Sequence, residues 1–145
     1  MRSDIAKHFS DASTSYDAHA TMQHDVLYAL TDWLPESDAY TLFDAGCGTG
    51  AIMAHLPKHV TALGCDIAPG MCEAARAKGM EVMQSSVEKL PLDDASIDVY
   101  LSSLCWQWVE QPQRAIAEMQ RILQSGGLAL LAVLTQAVLS WVGTS

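Results

Sequence analysis

The chain has 145 residues, half of them hydrophobic and 17% charged. That is the composition and length of one folded domain over residues 1–145, and it excludes a disordered tail. The net charge of -9, with only eight scattered Lys and Arg, argues against nucleic acid as a partner, because phosphate binding rests on clustered cations. Cys47, Cys65, Cys72 and Cys105 include no C-x-x-C pair and no Cys/His spacing for zinc. They read as buried thiols of a reducing compartment, which predicts a cytoplasmic protein without bound metal. The polar opening is no signal peptide. The most apolar stretch, Leu128–Val142, is broken by Thr135, Gln136 and Ser140, short of the roughly 18 residues of a membrane span; a soluble protein is expected.

In chain order, the polar residues 1–25 lead into a helix in which Val26, Leu27, Leu30, Trp33 and Leu34 recur at helical spacing before Pro35. A strand over Tyr40–Asp44 enters a glycine loop, and a short helix from Gly50 to Leu56 stops at Pro57. Val60–Asp66 is a second strand. Pro69 suits the first turn of the next helix and Gly79 its end. Met80–Gln84 and Ile97–Ser102 are the third and fourth strands. Pro112 opens a helix with Ala115, Ile116, Met119, Ile122 and Leu123 on one apolar face, which Gly126-Gly127 ends. Leu128–Leu134 is the fifth strand. Alternating strands and helices predict an α/β, Rossmann-like parallel sheet with helices on both faces. Residues 1–35 form an N-terminal segment, 40–134 the core and 135–145 a tail.

Ligands of such sheets bind at the carboxyl ends of the strands, where strand order reverses. The stretch FDAGCGTG over 43–50 lies there. Gly46, Gly48 and Gly50 permit a tight turn and close backbone approach. Gly46-x-Gly48-x-x-Ala51 satisfies the relaxed dinucleotide fingerprint, and Asp66 follows at about the distance of a ribose-binding acid. Asp44 separates the candidates. A carboxylate beside the loop repels a pyrophosphate and attracts the ammonium and sulfonium of S-adenosylmethionine. The blander alternative is that Asp44 only caps backbone amides of the loop.

The run DAGCGTG, with Asp66, LPLDDASID and Gly126-Gly127 after it, resembles class I S-adenosylmethionine-dependent methyltransferases. The resemblance implies that Asp44, Gly46 and Gly48 contact the methionine part and Asp66 the ribose hydroxyls. Ser86 and Val87 would lie along the adenine, with Gly50, Ile67 and Ser103 completing the cofactor contacts. Two further stretches, FSDASTSYDAHATMQHDV and SSLCWQWVEQP, are similar to the branch that esterifies malonyl-acyl carrier protein early in biotin synthesis. Tyr16, Gln107 and Trp108 would then bind substrate, Tyr16 from a lid. No catalytic residue is expected, because methyl transfer to an ionised carboxylate needs positioning and no base.

By the same resemblance, two of the usual seven strands and a substrate lid are expected beyond this chain. QAVLSWVGTS shows no acceptable sixth strand, so the fifth strand is expected as an exposed hydrophobic edge prone to self-association. Three functions remain: methyltransferase (acting on malonyl-acyl carrier protein or on another small acceptor), non-catalytic binding module, and, disfavoured by Asp44, dinucleotide oxidoreductase.

Overall fold

The computed structural model describes residues 16–36, 38–134 and 139–144, with side chains described over 20–36 and 38–133. The elements are α1 (Tyr16–Thr31), β1 (Tyr40–Ala45), a 3-10 helix (Ala51–His55), β2 (Val60–Asp66), α2 (Pro69–Ala77), β3 (Glu81–Gln84), β4 (Ile97–Ser103), a second 3-10 helix (Trp106–Trp108), α3 (Pro112–Ile122), β5 (Leu123–Leu134) and β6 (Leu139–Thr144). The sheet order is β3-β2-β1-β4-β5-β6. β1 to β5 are parallel, in register from Tyr40↔Val60 to Ala45↔Cys65 between β1 and β2. The chain steps outward from β1 to β3 and then returns to β4 on the other side of β1, so order reverses between β1 and β4.

Alternation along the strands fills two layers. On one face, Leu42, Val99, Leu101 and Leu130 pack with Met22, Val26 and Leu30 of α1, Ile52, and Cys72 and Ala75 of α2. On the other, Phe43, Tyr100 and Ala129 pack with Ala115, Met119 and Ile122 of α3. Each large aliphatic side chain so buried contributes about 1.5–3 kcal/mol. Helices therefore cover both faces, as the alternating pattern requires. Pro69 and Pro112 both sit in the first turn of their helices. Gly79, at φ 94, follows the end of α2, with its N–H donating to the Arg76 carbonyl.

Four expectations are corrected. α1 begins ten residues before Val26, and Trp33 and Leu34 lie past its end in a turn. Helix α3 stops at Ile122, not at the glycine pair; Leu123 is already extended (φ -72, ψ 135) and pairs with Ile97. The glycines serve a bulge in β5 instead: Gly126 has φ 80, and a Cβ on Gly127 would lie 3.0 Å from the Asp98 carbonyl oxygen. Ile116, on the expected apolar face, is exposed.

The largest correction is at the tail. Leu139–Thr144 forms β6, antiparallel to β5 from Ala129↔Thr144 to Leu134↔Leu139. An unpaired parallel edge offers a row of free N–H and C=O groups, and the uncharged run with Trp141, Val142 and Thr144 can pair with it. β5 is thus an interior strand, and the free edge on this side belongs to β6. Among the described residues, no helix is long and apolar enough to cross a membrane.

Candidate functional site

At the carboxyl ends of β1, β2, β3 and β4 the chain encloses a cavity of about 220 Å³. Hydrogen bonding continues past the strand ends and fixes its floor. Cys47 N–H donates to the Cys65 carbonyl at 2.8 Å, Ser85 N–H to Asp66 at 3.1 Å and Leu104 N–H to Ala132 at 2.8 Å. Gly46, Asp66, Ile67, Ser86, Val87 and Trp108, all expected at the site, line this one cavity.

Glycine is required at Gly46 by space as well as conformation. With φ 75, a Cβ there would sit 2.5 Å from Cys105 Sγ. Gly48 also has positive φ and open space where its Cβ would be. Gly50 lies behind the loop: its φ is 79, and a Cβ would meet Ala75 of α2 at 3.0 Å, so it seats the 3-10 helix on α2.

Asp66 accepts two backbone hydrogen bonds, from Gly48 N–H to Oδ2 at 3.0 Å and from Ala68 N–H to Oδ1 at 2.9 Å. A carboxylate offers about four acceptor positions, so two remain for a diol. The same pair of bonds ties the glycine loop to the start of α2. Strand alternation puts Asp44, Asp66 and Ser103 on the same face of three adjacent strands, the face that carries Leu42 and Leu101. Asp44 is 4% exposed. Burial, and secondarily the charge of Asp66, push its carboxyl up to about 7. Among the described residues no Lys, Arg or His lines the cavity, and Asp44 itself lies behind the lining. Ser103 ends β4, half-buried and paired with Ala132, outside the cavity lining.

The opposite wall comes from the loop after β4. Trp106 packs against the core, its Nε1–H donating to Tyr100 OH at 3.4 Å. Trp108, expected to bind substrate, is 80% exposed and lines the cavity. Gln107 does not line the cavity, and its Oε1 is buried without a partner. Tyr16 is the first residue of α1; its side chain lies outside the described residues.

Six lining residues lie outside the expected set: Cys65, Ser85, Glu88, Cys105, Val109 and Glu110. Cys105, expected only as a buried thiol, places its sulfur in the space that Gly46 leaves. Its thiol is pushed up to about 11 by burial and by Asp44 and Asp66, so it is neutral and no nucleophile. Ser85 also lines the cavity, its hydroxyl buried beside the Cys65 thiol. The positions of Cys105 and Ser85, just past the fourth and third strands, were the available signal. Among the described residues no cluster of three or more His, Cys, Asp or Glu could hold a metal.

Fold and cavity together define an α/β protein whose ligand edge lies over an acid at the end of β2 and a glycine loop after β1. The sequence matches the methyltransferase domain family over residues 43–131, and the chain belongs to that family. It is similar to malonyl-[acyl-carrier protein] O-methyltransferase of Herminiimonas arsenicoxydans, 40% identical over 144 residues covering 94% of this chain and 55% of the relative. The protein of that name from Serratia marcescens is 38% identical, over 96% of this chain and 56% of the relative. Among solved structures, an SAM-dependent methyltransferase of Thermotoga maritima is 28% identical with a TM-score of 0.66, over 90% of this chain and 62% of its own. One from Mesorhizobium loti is 26% identical with a TM-score of 0.66, over 79% and 61%. The chain thus spans about half the length of the curated relatives it matches.

Proposed function

We propose that the chain is the cofactor-binding part of an S-adenosylmethionine-dependent methyltransferase that esterifies the free carboxylate of malonyl-acyl carrier protein. The observation that carries the cofactor is the half-satisfied Asp66 in the cavity wall, with the buried Asp44 behind the lining on the same face of the adjacent strand. Asp66 would hold the ribose hydroxyls, and Asp44 the ammonium end, beside the open backbone at Gly48. Ile67, Ser86 and Val87 form the base side. Ser86 Oγ already accepts from Glu88 N–H at 3.1 Å, which leaves its own proton to donate. Bound S-adenosylmethionine supplies an activated methyl group, so the residues only position, orient and exclude water. A malonyl carboxylate is ionised at neutral pH and needs no general base.

The acceptor rests on the likeness to the malonyl-[acyl-carrier protein] enzymes and on Gln107 and Trp108 beside the cavity. Among the described residues the cavity lining holds Asp66, Glu88 and Glu110 and no cation, so these residues do not themselves hold an anionic acceptor. This favours a second reading for the 145 residues alone: a cofactor-binding module whose acceptor contacts come from elsewhere.

Calorimetry with S-adenosylmethionine and NAD side by side tests the cofactor, with binding of the first and not the second expected. Tight binding of NAD alone would sink the reading. A methyl-transfer assay on malonyl-acyl carrier protein against small hydroxyl, amine and carboxylate acceptors tests the substrate. Turnover of a small acceptor only would remove the carrier protein and leave the methyltransferase standing.

A further inference from the structure

The base-side wall of the cavity has no secondary structure of its own. Residues 85–96 form neither helix nor strand, yet Ser85, Ser86, Val87 and Glu88 line the cavity. Such a segment holds a defined surface only if contacts offset the conformational entropy of ordering it. Val87 and Leu90 are each 5% exposed and pack with Ala115, Met119 and Ile122 of α3.

The polar anchor is also on α3. Arg121 Nη1 donates to the Leu92 carbonyl at 2.6 Å and to Asp94 Oδ1 at 2.9 Å. Its Nη2 donates to the Leu90 carbonyl at 3.0 Å and to Glu118 Oε2 at 2.9 Å, and Nε donates to Glu118 Oε1 at 2.8 Å. A guanidinium has five N–H donors in a fixed fork, and all are used. Glu118 Oε2 in turn accepts from Leu90 N–H at 2.7 Å. The far end of the segment closes on the same turn of helix: Ala95 N–H donates to the Arg121 carbonyl at 2.9 Å and Ser96 N–H to that of Ile122 at 2.8 Å. Neither Arg121 nor Glu118 touches the cavity.

We infer that the Glu118–Arg121 pair is a positioning device for the cofactor's base, acting through Leu90 and Leu92 on the wall formed by Ser85–Glu88. The inference rests on the reading of the cavity as the S-adenosylmethionine site. The exposed Asp94 contributes least, because a solvated ion pair is weak; the carbonyl contacts set the path of the chain. A lysine at 121 keeps the charge beside Glu118 and cannot reach both carbonyls at once.

The test compares wild type, Arg121→Lys, Glu118→Gln and Asp44→Asn by calorimetry with S-adenosylhomocysteine and with methylthioadenosine, which has the nucleoside but no amino-acid part. All are measured well below each protein's unfolding transition. Arg121→Lys is expected to weaken both ligands by about tenfold, the scale of one lost hydrogen bond to a charged group. Asp44→Asn is expected to weaken S-adenosylhomocysteine alone. Hydrogen exchange of amides 86–92 without ligand should be faster in Arg121→Lys, a readout that stands even if Glu118→Gln does not fold. Unchanged methylthioadenosine affinity, or unchanged exchange, in Arg121→Lys overturns the inference. A wild type that binds neither ligand overturns the cofactor reading itself.

Discussion

Asp66 spends half of its acceptor capacity inside the protein, on Gly48 and Ala68, and turns the rest to the cavity. On the proposed reading, removing it would cost a ligand its diol contacts and also loosen the glycine loop. Asp66→Ala should lose roughly 1.5–3 kcal/mol of S-adenosylmethionine affinity, the scale of a hydrogen bond to a charged group. Calorimetry on the folded variant checks this, and equal affinity would remove Asp66 from the site. Asp44 calls for a different measurement. Its carboxyl titrates near 7 in the empty protein, and a bound ammonium would hold it ionised well below that. Affinity should therefore rise with pH toward about 7 and fall about tenfold per unit beneath it. In Asp44→Asn the slope should vanish.

Elements carry their own predictions. The loop after β1 and the loop after β4 meet where Gly46 faces Cys105, so the two walls of the site are fitted to each other. Gly46→Ala should weaken cofactor binding and lower stability through both the clash and the left-handed backbone. Adding Cys105→Ala relieves the clash alone, so a partial recovery of the melting temperature is expected; no recovery would mean that backbone strain accounts for the whole loss. At the other end of the sheet, β6 covers β5. Deleting residues 135–145 should expose the edge of β5 and raise self-association in light scattering, while the full chain stays less associated. Strands β1 to β4, the helix starts at Pro69 and Pro112 and the helix end at Gly79 were legible because their signals are local. The end of α3 was not. Gly126-Gly127 is the usual stop signal, and what overrode it was pairing of Leu123 with Ile97, a contact across 26 positions of chain.

Over the whole molecule, two carboxylates act with opposite sign. Asp44 is raised from 3.8 to about 7, so its contribution to the stability of the empty fold is complete below 3.8 and is lost as pH rises through about 7. Glu118 is lowered from 4.5, first by its hydrogen bond to Arg121, so its contribution is present above 4.5 and is lost as pH falls through its folded value. On these two groups the empty protein should be most stable where the windows meet, between 3.8 and 4.5, and should lose stability from there toward 7. Cofactor should move the maximum upward by keeping Asp44 ionised. Melting temperatures across this range, with and without S-adenosylhomocysteine, test it. Asp44→Asn should flatten the alkaline limb and Glu118→Gln the acid limb; a limb that survives its substitution belongs to another group.

The sequence by itself determined the alternation of strands and helices, the ligand edge, the glycine loop and the acid at the end of β2. Each follows from periodicity, turn chemistry or charge within a few neighbouring residues. The tertiary structure alone decided which residues face one another. It set Cys105 against Gly46, gathered Ser85–Glu88 under an anchor on α3, turned Trp108 outward and Trp106 inward, and gave β5 a partner in β6. Those outcomes depend on packing volume, on unpaired backbone groups seeking partners, and on hydrogen bonds between residues far apart in the chain. No local pattern encodes them.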